Sequence, residues 1–203
     1  MSSNANAILD AVKTRRSHYP LSKDLPISKE RIEEIIKTAV AYVPTSVNSQ
    51  STRVVVLHGV EHEKFWDMTA SILKAIVSAE QWEYTSGKVA SFRGGAGTVL
   101  FYENEDDIKA LQEKFPMFAE RFHGWAAQSD AMLQFTLWIA LDAEGLGVNL
   151  QHYNPLVDEQ VAAEWNIPST WKLNAQLVFG GKKSQPDPKE SKPIEELFKA
   201  YGS

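Results

Sequence analysis

The sequence predicts an α+β fold, and three observations carry that prediction. Apolar residues recur at helical spacing through most of the chain. Short β-branched runs are few and widely separated, so strands do not alternate regularly with helices. One stretch, 132–141, is apolar nearly all round, which marks a central buried helix.

In chain order, residues 7–13 form a first helix with Ile8, Ala11 and Val12 on one side. It runs through Thr14, Arg15, Arg16, Ser17, His18 and Tyr19 to Pro20, which disfavours helix in the residue before it. Ser28 caps a second helix striped by Ile32, Ile35, Ile36, Ala39 and Val40 and ended by Pro44. Residues 53–58 (RVVVLH) read as a buried strand. Residues 61–78 are helical, with Phe65, Met68, Ile72, Leu73, Ile76 and Val77 inward, while 81–92 supports no single reading. A second strand, 98–102, is entered through Gly94, Gly95 and Gly97. Residues 118–143 read as one long helix, closed by Gly145 and Gly147 as C-cap residues. Then come a third strand (148–153), a short helix (158–165), a fourth strand (171–179), a polar loop (180–188) and a terminal helix (194–201).

Composition narrows the function. The chain has 203 residues, 43% of them hydrophobic, which suits one domain over 1–203. A net charge of -5, with no basic stripe, argues against nucleic acid as a partner. The absence of cysteine removes disulfides, thiolate metal sites and cysteine nucleophiles. The N-terminus lacks a basic and an apolar signal region, and no apolar run is long enough to span a membrane, so a cytoplasmic protein with no membrane partner is expected.

Several motifs are absent. The Gly94–Gly97 cluster precedes a strand, without the Lys-Ser/Thr of a P-loop or dinucleotide-fingerprint spacing. No Gly-x-Ser-x-Gly elbow occurs. His58 and His62 stand four apart, but Gly59 intervenes at a strand end, so they read as surface histidines and no metal site is expected. Arg93, beside the glycine run, reads equally as a cofactor contact or a helix cap.

Three segments are unusual for plain structure: Arg15-Arg16-Ser17, the polar loop from Pro44 to Gln50 (PTSVNSQ), and Glu144 to Gly147 (EGLG) followed by NLQHYNP. With PDPKESKP near the C-terminus, they match in order and spacing the Arg-Arg-Ser start, Pro-Ser-x-x-Asn-x-Gln loop, Gly-Leu-Gly turn and Pro-Lys segment of the nitroreductase family. The chain resembles that family over nearly its whole length. RGGAGTVLFYE and NLQHYNP are similar to its short fungal and bacterial branch, of fatty-acid-repression and copper-induced type. The resemblance implies a mostly antiparallel central sheet flanked by helices, a long buried core helix, an intertwined homodimer and FMN as cofactor. It assigns Arg15, Ser17 and Lys189 to the FMN phosphate, where guanidinium, ammonium and hydroxyl groups suit a dianion. Asn48, which both donates and accepts, is assigned to the ring's pyrimidine edge, with Gln50 in the same loop. Pro44, Thr45 and Ser46 would approach the flavin from the partner subunit. Leu146, Gln151, His152, Tyr153 and Asn154 would lie by the ring, and Arg16, Tyr19 and Ser191 complete the implied set.

The implied reaction passes hydride from NAD(P)H through the flavin to a nitroaromatic or quinone acceptor, with no acid or base residue required. Two positions depart from the family's pattern. Tyr19 stands where a basic residue is common, and Ser191 stands where arginine is expected. These departures motivate the alternative of a flavin-binding regulatory or stress-sensing module with little turnover.

Overall fold

Alternation of apolar side chains along the strands decides the architecture. The computed structural model describes residues 4–202. Five strands form one sheet: β1 (Leu21–Ser22), β2 (Thr52–His58), β3 (Gly97–Asn104), β4 (Gly147–Gln151) and β5 (Trp171–Lys182). The order is β1-β5-β3-β2, β4 also pairs with β5, and every pairing between these strands is antiparallel. The helices are α1 (Asn4–Thr14), α2 (Lys29–Tyr42), α3 (Val60–Ile76), α4 (Ala79–Arg93), α5 (Glu105–Lys114), α6 (Phe122–Ala143), α7 (Asp158–Trp165) and α8 (Ile194–Leu197).

Strand β3 is buried along its whole length, and its side chains alternate between two apolar layers. Val99 and Phe101 join Ile32, Ile36 and Ala39 of α2 and Leu133, Leu137 and Leu141 of α6. Leu100 and Tyr102 join Phe65, Trp66 and Leu73 of α3 and Val89 and Phe92 of α4. Each fully buried Leu, Ile or Phe contributes roughly 1.5–3 kcal/mol of hydrophobic stabilisation, so these two layers hold the sheet between helices. Among the described residues, no helix is long and apolar enough to cross a membrane.

Local chemistry sets the helix ends. The Ser28 hydroxyl accepts from Arg31 N–H at 3.2 Å. Helix α4 opens with a reciprocal capping box between Ser78 and Gln81. Helix α6 ends on Gly145 at φ +90, where Gly145 N–H donates to Asp142 O (3.0 Å) and Leu146 N–H to Leu141 O (3.1 Å). Leu146 and Leu141 then pack together in the core, completing that stop.

The structure revises several boundaries. Helix α4 resolves the ambiguous 81–92 stretch, and α5 has no counterpart in the predicted elements. The long helix begins at Phe122 after a 3-10 turn, Pro116–Arg121. It is buried along one stripe, while Met132 and Phe135 on another side are 44% and 40% exposed. Gly147 opens β4 and is not a cap. The predicted loop at 180–188 begins late, because β5 continues to Lys182. A Cβ on Gly180 or Gly181 would lie 2.4 Å from the carbonyl of Ser22 or Asp24, so these glycines let two backbones meet. The terminal helix is only Ile194–Leu197, with no buried residue to extend it. The two histidines are not on the surface. His58 is 17% exposed by side chain, and His62 is fully buried. Trp66 N–H donates to Thr98 Oγ1 (3.0 Å), His62 Nδ1 lies 2.8 Å from the same oxygen, and His62 Nε2 lies 3.2 Å from Arg93 O. Burial lowers the His62 pKa to about 4, so it is a neutral tie between α3, β3 and α4.

Candidate active site

Past α1, the chain lies against β4. Ser17 forms a parallel bridge with Val148, His18 N–H donates to Val148 O at 3.0 Å, and Asn149 Nδ2 donates to His18 O at 2.8 Å. This leaves Arg15, Arg16, Ser17 and Tyr19 lining a cleft of about 590 Å³, whose opposite wall is residues 184–189. The wall is tied down through its backbone. Arg16 donates its guanidinium to Asp187 O, His18 Nδ1 lies 3.3 Å from Ser184 O, and Lys183 N–H donates to Pro20 O at 3.2 Å. Thus Arg16 holds the wall. His18, which sequence reasoning passed over despite its place in the motif, does the same. Burial, and then the nearby charge of Lys182, lowers the His18 pKa.

The cleft is electropositive. Arg15, Arg16 and Lys189 line it, with Asp187 as the acid among its lining residues. Neither Arg15 nor Lys189 forms an ion pair among the described residues. An arginine and a lysine without acid partners in one cleft suit an anion such as a phosphate. Arg15 instead rests over the ring of Trp138, 4.5 Å from its centroid. Ser191 is exposed and does not line the cleft. Arg93 is an ion-paired structural residue, with Asp67 at 2.7 Å and Glu63 at 2.9 Å.

The segment after the Gly-Leu-Gly turn adjoins the first motif. Gln151 Nε2 donates to Asn149 Oδ1 at 2.9 Å, and Asn149 reaches His18. Tyr153 N–H donates to the buried Gln176 Oε1 at 2.7 Å, and Gln176 Nε2 donates to Asn154 Oδ1 at 3.3 Å. Tyr153 stands edge-on to Trp66 at 5.6 Å and near Phe92 at 6.3 Å, while Tyr19 lies 6.4 Å from the same Phe92. Burial raises the Tyr153 pKa. Tyr19 and Tyr153 therefore share one aromatic support, and His152 beside them is exposed. Leu146 is fully buried, so its side chain faces the core. Gln176 and Phe92 carry no sequence signal of their own; only their contacts place them here.

The loop 44–50 lies elsewhere. Thr45, Asn48 and Gln50 line a separate cleft of about 470 Å³ that shares no residue with the first. Its backbone is strained: Val47, Asn48 and Gln50 have φ of 48, 55 and 50. Three contacts hold it. Asn48 N–H donates to Thr45 O (3.0 Å), Gln50 N–H to Thr45 Oγ1 (3.0 Å), and Ser46 N–H to Ser129 Oγ of α6 (3.0 Å). Beneath it, Ser51 and Thr52 donate to the buried Glu103 at 2.7 and 3.0 Å. Burial pushes Glu103 up to about 7 and the neighbouring Asp130 up to about 6, and Asn174 and Gln134 donate to Asp130. Among the described residues, no cluster of three or more His, Cys, Asp or Glu could hold a metal ion.

Residues 12–181 match the model of the Nitroreductase family. The chain is 33% identical over 184 residues to the nitroreductase FRM2 of Saccharomyces cerevisiae, covering 89% of this chain and 91% of that protein. Nitroreductase CinD from Lactococcus lactis, solved with nicotinic acid, superposes with a TM-score of 0.89 at 38% identity, over 96% of this chain and 100% of CinD. CinD has also been solved with chloramphenicol and with 4-nitrophenol. A Desulfitobacterium hafniense nitroreductase with bound FMN shares the fold, with a TM-score of 0.71 at 14% identity over 95% of this chain and 97% of that one.

Proposed function

This chain belongs to the nitroreductase family, and on that premise we propose that it is an FMN-dependent oxidoreductase carrying hydride from NAD(P)H to nitroaromatic or quinone acceptors. The observation that carries the reading is the cleft between the first motif and residues 184–189, where Arg15 and Lys189 lack acid partners among the described residues. That arrangement fits a phosphate dianion, and the FMN-bound neighbour of the same fold supports the identity of the cofactor. The CinD complexes with 4-nitrophenol and chloramphenicol support the acceptor class.

When bound, FMN would supply the two-electron redox chemistry that links a reduced nicotinamide to the acceptor. The protein's own residues bind, orient and wall off. Arg15 and Lys189 neutralise the phosphate, and the Ser17 hydroxyl donates beside them. Arg16 and His18 keep the loop that carries Lys189 closed against the cleft. Tyr19 and Tyr153, braced on Phe92, form an aromatic wall beside the ring, with Gln151, His152 and Asn154 at the end of β4.

Asn48 and Gln50, with Pro44, Thr45 and Ser46, serve the flavin of a second copy, because their loop does not line the cleft of its own chain. A homodimer follows. Exposed Ile8 and Leu9 on α1, Met132 and Phe135 on α6, and Leu197, Phe198 and Tyr201 in the tail supply the apolar surface that it would bury.

The test is steady-state oxidation of NADH and NADPH by the FMN-loaded protein, with and without 4-nitrophenol. Turnover that needs both FMN and the acceptor is expected. Tight FMN binding without turnover on any nitroaromatic or quinone would favour the sensing module, which the exposed Tyr19, where the family often has a cation, would then explain.

A further inference from the structure

We propose that Trp138 is a positioning residue for the phosphate of FMN: its ring face presents the Arg15 guanidinium to the cleft with every N–H donor free. The inference rests on the reading that FMN binds with its phosphate at Arg15.

Trp138 sits on α6 between Leu137 and Leu141, which are both fully buried, and packs against the core. The helix is therefore a rigid platform. The indole N–H is buried without an acceptor, so packing and not hydrogen bonding fixes the ring. Arg15 emerges where α1 ends, its N–H still donating to Ala11 O at 3.1 Å, and lays its guanidinium 4.5 Å from the ring centroid. The choice of support matters. Arg31 and Arg93 are held by carboxylates, which occupy their N–H edges. An aromatic face attracts the cation through its negative quadrupole and leaves the planar fork unoccupied. Among the described residues, no hydrogen bond engages the Arg15 guanidinium. Stacking also removes rotamer freedom before the anion arrives, which preorganises the site. The neighbouring Arg16 has the opposite use, since its guanidinium is engaged by the Asp187 carbonyl.

The test measures FMN affinity, by quenching of flavin fluorescence, in a double-mutant cycle of Arg15→Ala and Trp138→Leu with Trp138→Phe beside it. Trp138→Leu alone should weaken binding about threefold to tenfold, the scale of a partly desolvated cation–π contact. Trp138→Phe should recover most of that loss, and Trp138→Leu should cost nothing further once Arg15 is gone. Fluorinated tryptophan at position 138 keeps the shape and drains the ring face, so affinity should fall stepwise with each added fluorine. Equal losses from Trp138→Leu with and without Arg15, or an affinity indifferent to fluorination, would overturn the inference and leave the phosphate assignment standing. Wild-type affinity in Arg15→Ala would overturn both.

Discussion

Two loops are assigned to one cofactor, and they are built in opposite ways. Residues 15–19 follow unstrained backbone along β4, and their cleft is closed by an exposed loop held through carbonyl contacts. Residues 44–50 carry three left-handed residues over a buried acid, pinned by the hydroxyls of Ser129 on α6 and of their own Thr45. Under the proposed assignment, the difference follows from the two ends of the ligand. A phosphate dianion is bound by charge, which tolerates some motion in the groups around it. The edge of a planar ring is read by donors and acceptors in fixed directions, which demands a rigid backbone. The rigid loop requires a buried foundation, and that foundation is Glu103.

The largest break should therefore come from the foundation. Glu103→Ala strands the buried hydroxyls of Ser51 and Thr52, and should cost about 3 kcal/mol in urea unfolding. Glu103→Gln, which keeps an acceptor, should cost less. The same pair of acids sets a pH dependence. Their folded values, about 7 for Glu103 and about 6 for Asp130, lie above the unfolded values of 4.5 and 3.8. The folded state thus holds protons that the unfolded chain has released. This contribution to stability is full below the unfolded values and is lost as pH rises through 6 and 7. The urea midpoint of the wild type, relative to a Glu103→Gln/Asp130→Asn variant, should fall between pH 5 and 8; a flat difference would place both acids outside the account.

The first loop should break more gently. Arg16→Ala frees the Asp187 carbonyl, and should speed proteolysis after Lys183 or Lys189 and weaken FMN binding about fivefold, the worth of one hydrogen bond. An FMN loss as large as that of Arg15→Ala would mean that Arg16 touches the phosphate itself. The smallest effect is a gain. Val47 is β-branched at φ 48 and 57% exposed, so Val47→Asn should relieve about 0.5–1 kcal/mol of strain and raise Tm by about 2 °C.

The sequence makes legible those elements whose own pattern suffices. The stripe Ile32, Ile36, Ala39 marks α2, which faces one apolar layer, and the continuous run 53–58 marks β2, whose Val54 and Val56 face that layer while Val55 and Leu57 face the other. Helix α4 is obscure because it buries only Val89 and Phe92, too few to draw a stripe. Gly180 and Gly181 look like a loop in sequence, since nothing local records that a second backbone needs their space. In the candidate site, the ordered motifs point by resemblance to Arg15, Ser17 and Lys189, which line one cleft, and to Asn48, which lines another. They miss Trp138, His18 and Glu103, whose roles exist only as contacts between segments far apart in the chain. The histidines fail for the same reason: His62 next to charged residues reads as surface, but its contacts with Thr98 and Arg93 bury it.

The proposed function requires that this chain hold a flavin which a reduced nicotinamide can reduce. The most direct measurement is the visible absorption spectrum of the purified, FMN-equilibrated protein before and after anaerobic NADH or NADPH. A bound-flavin spectrum that bleaches on addition of one of the two nucleotides and returns with a nitroaromatic acceptor is expected. A protein that stays colourless after equilibration with FMN and removal of the excess would contradict it.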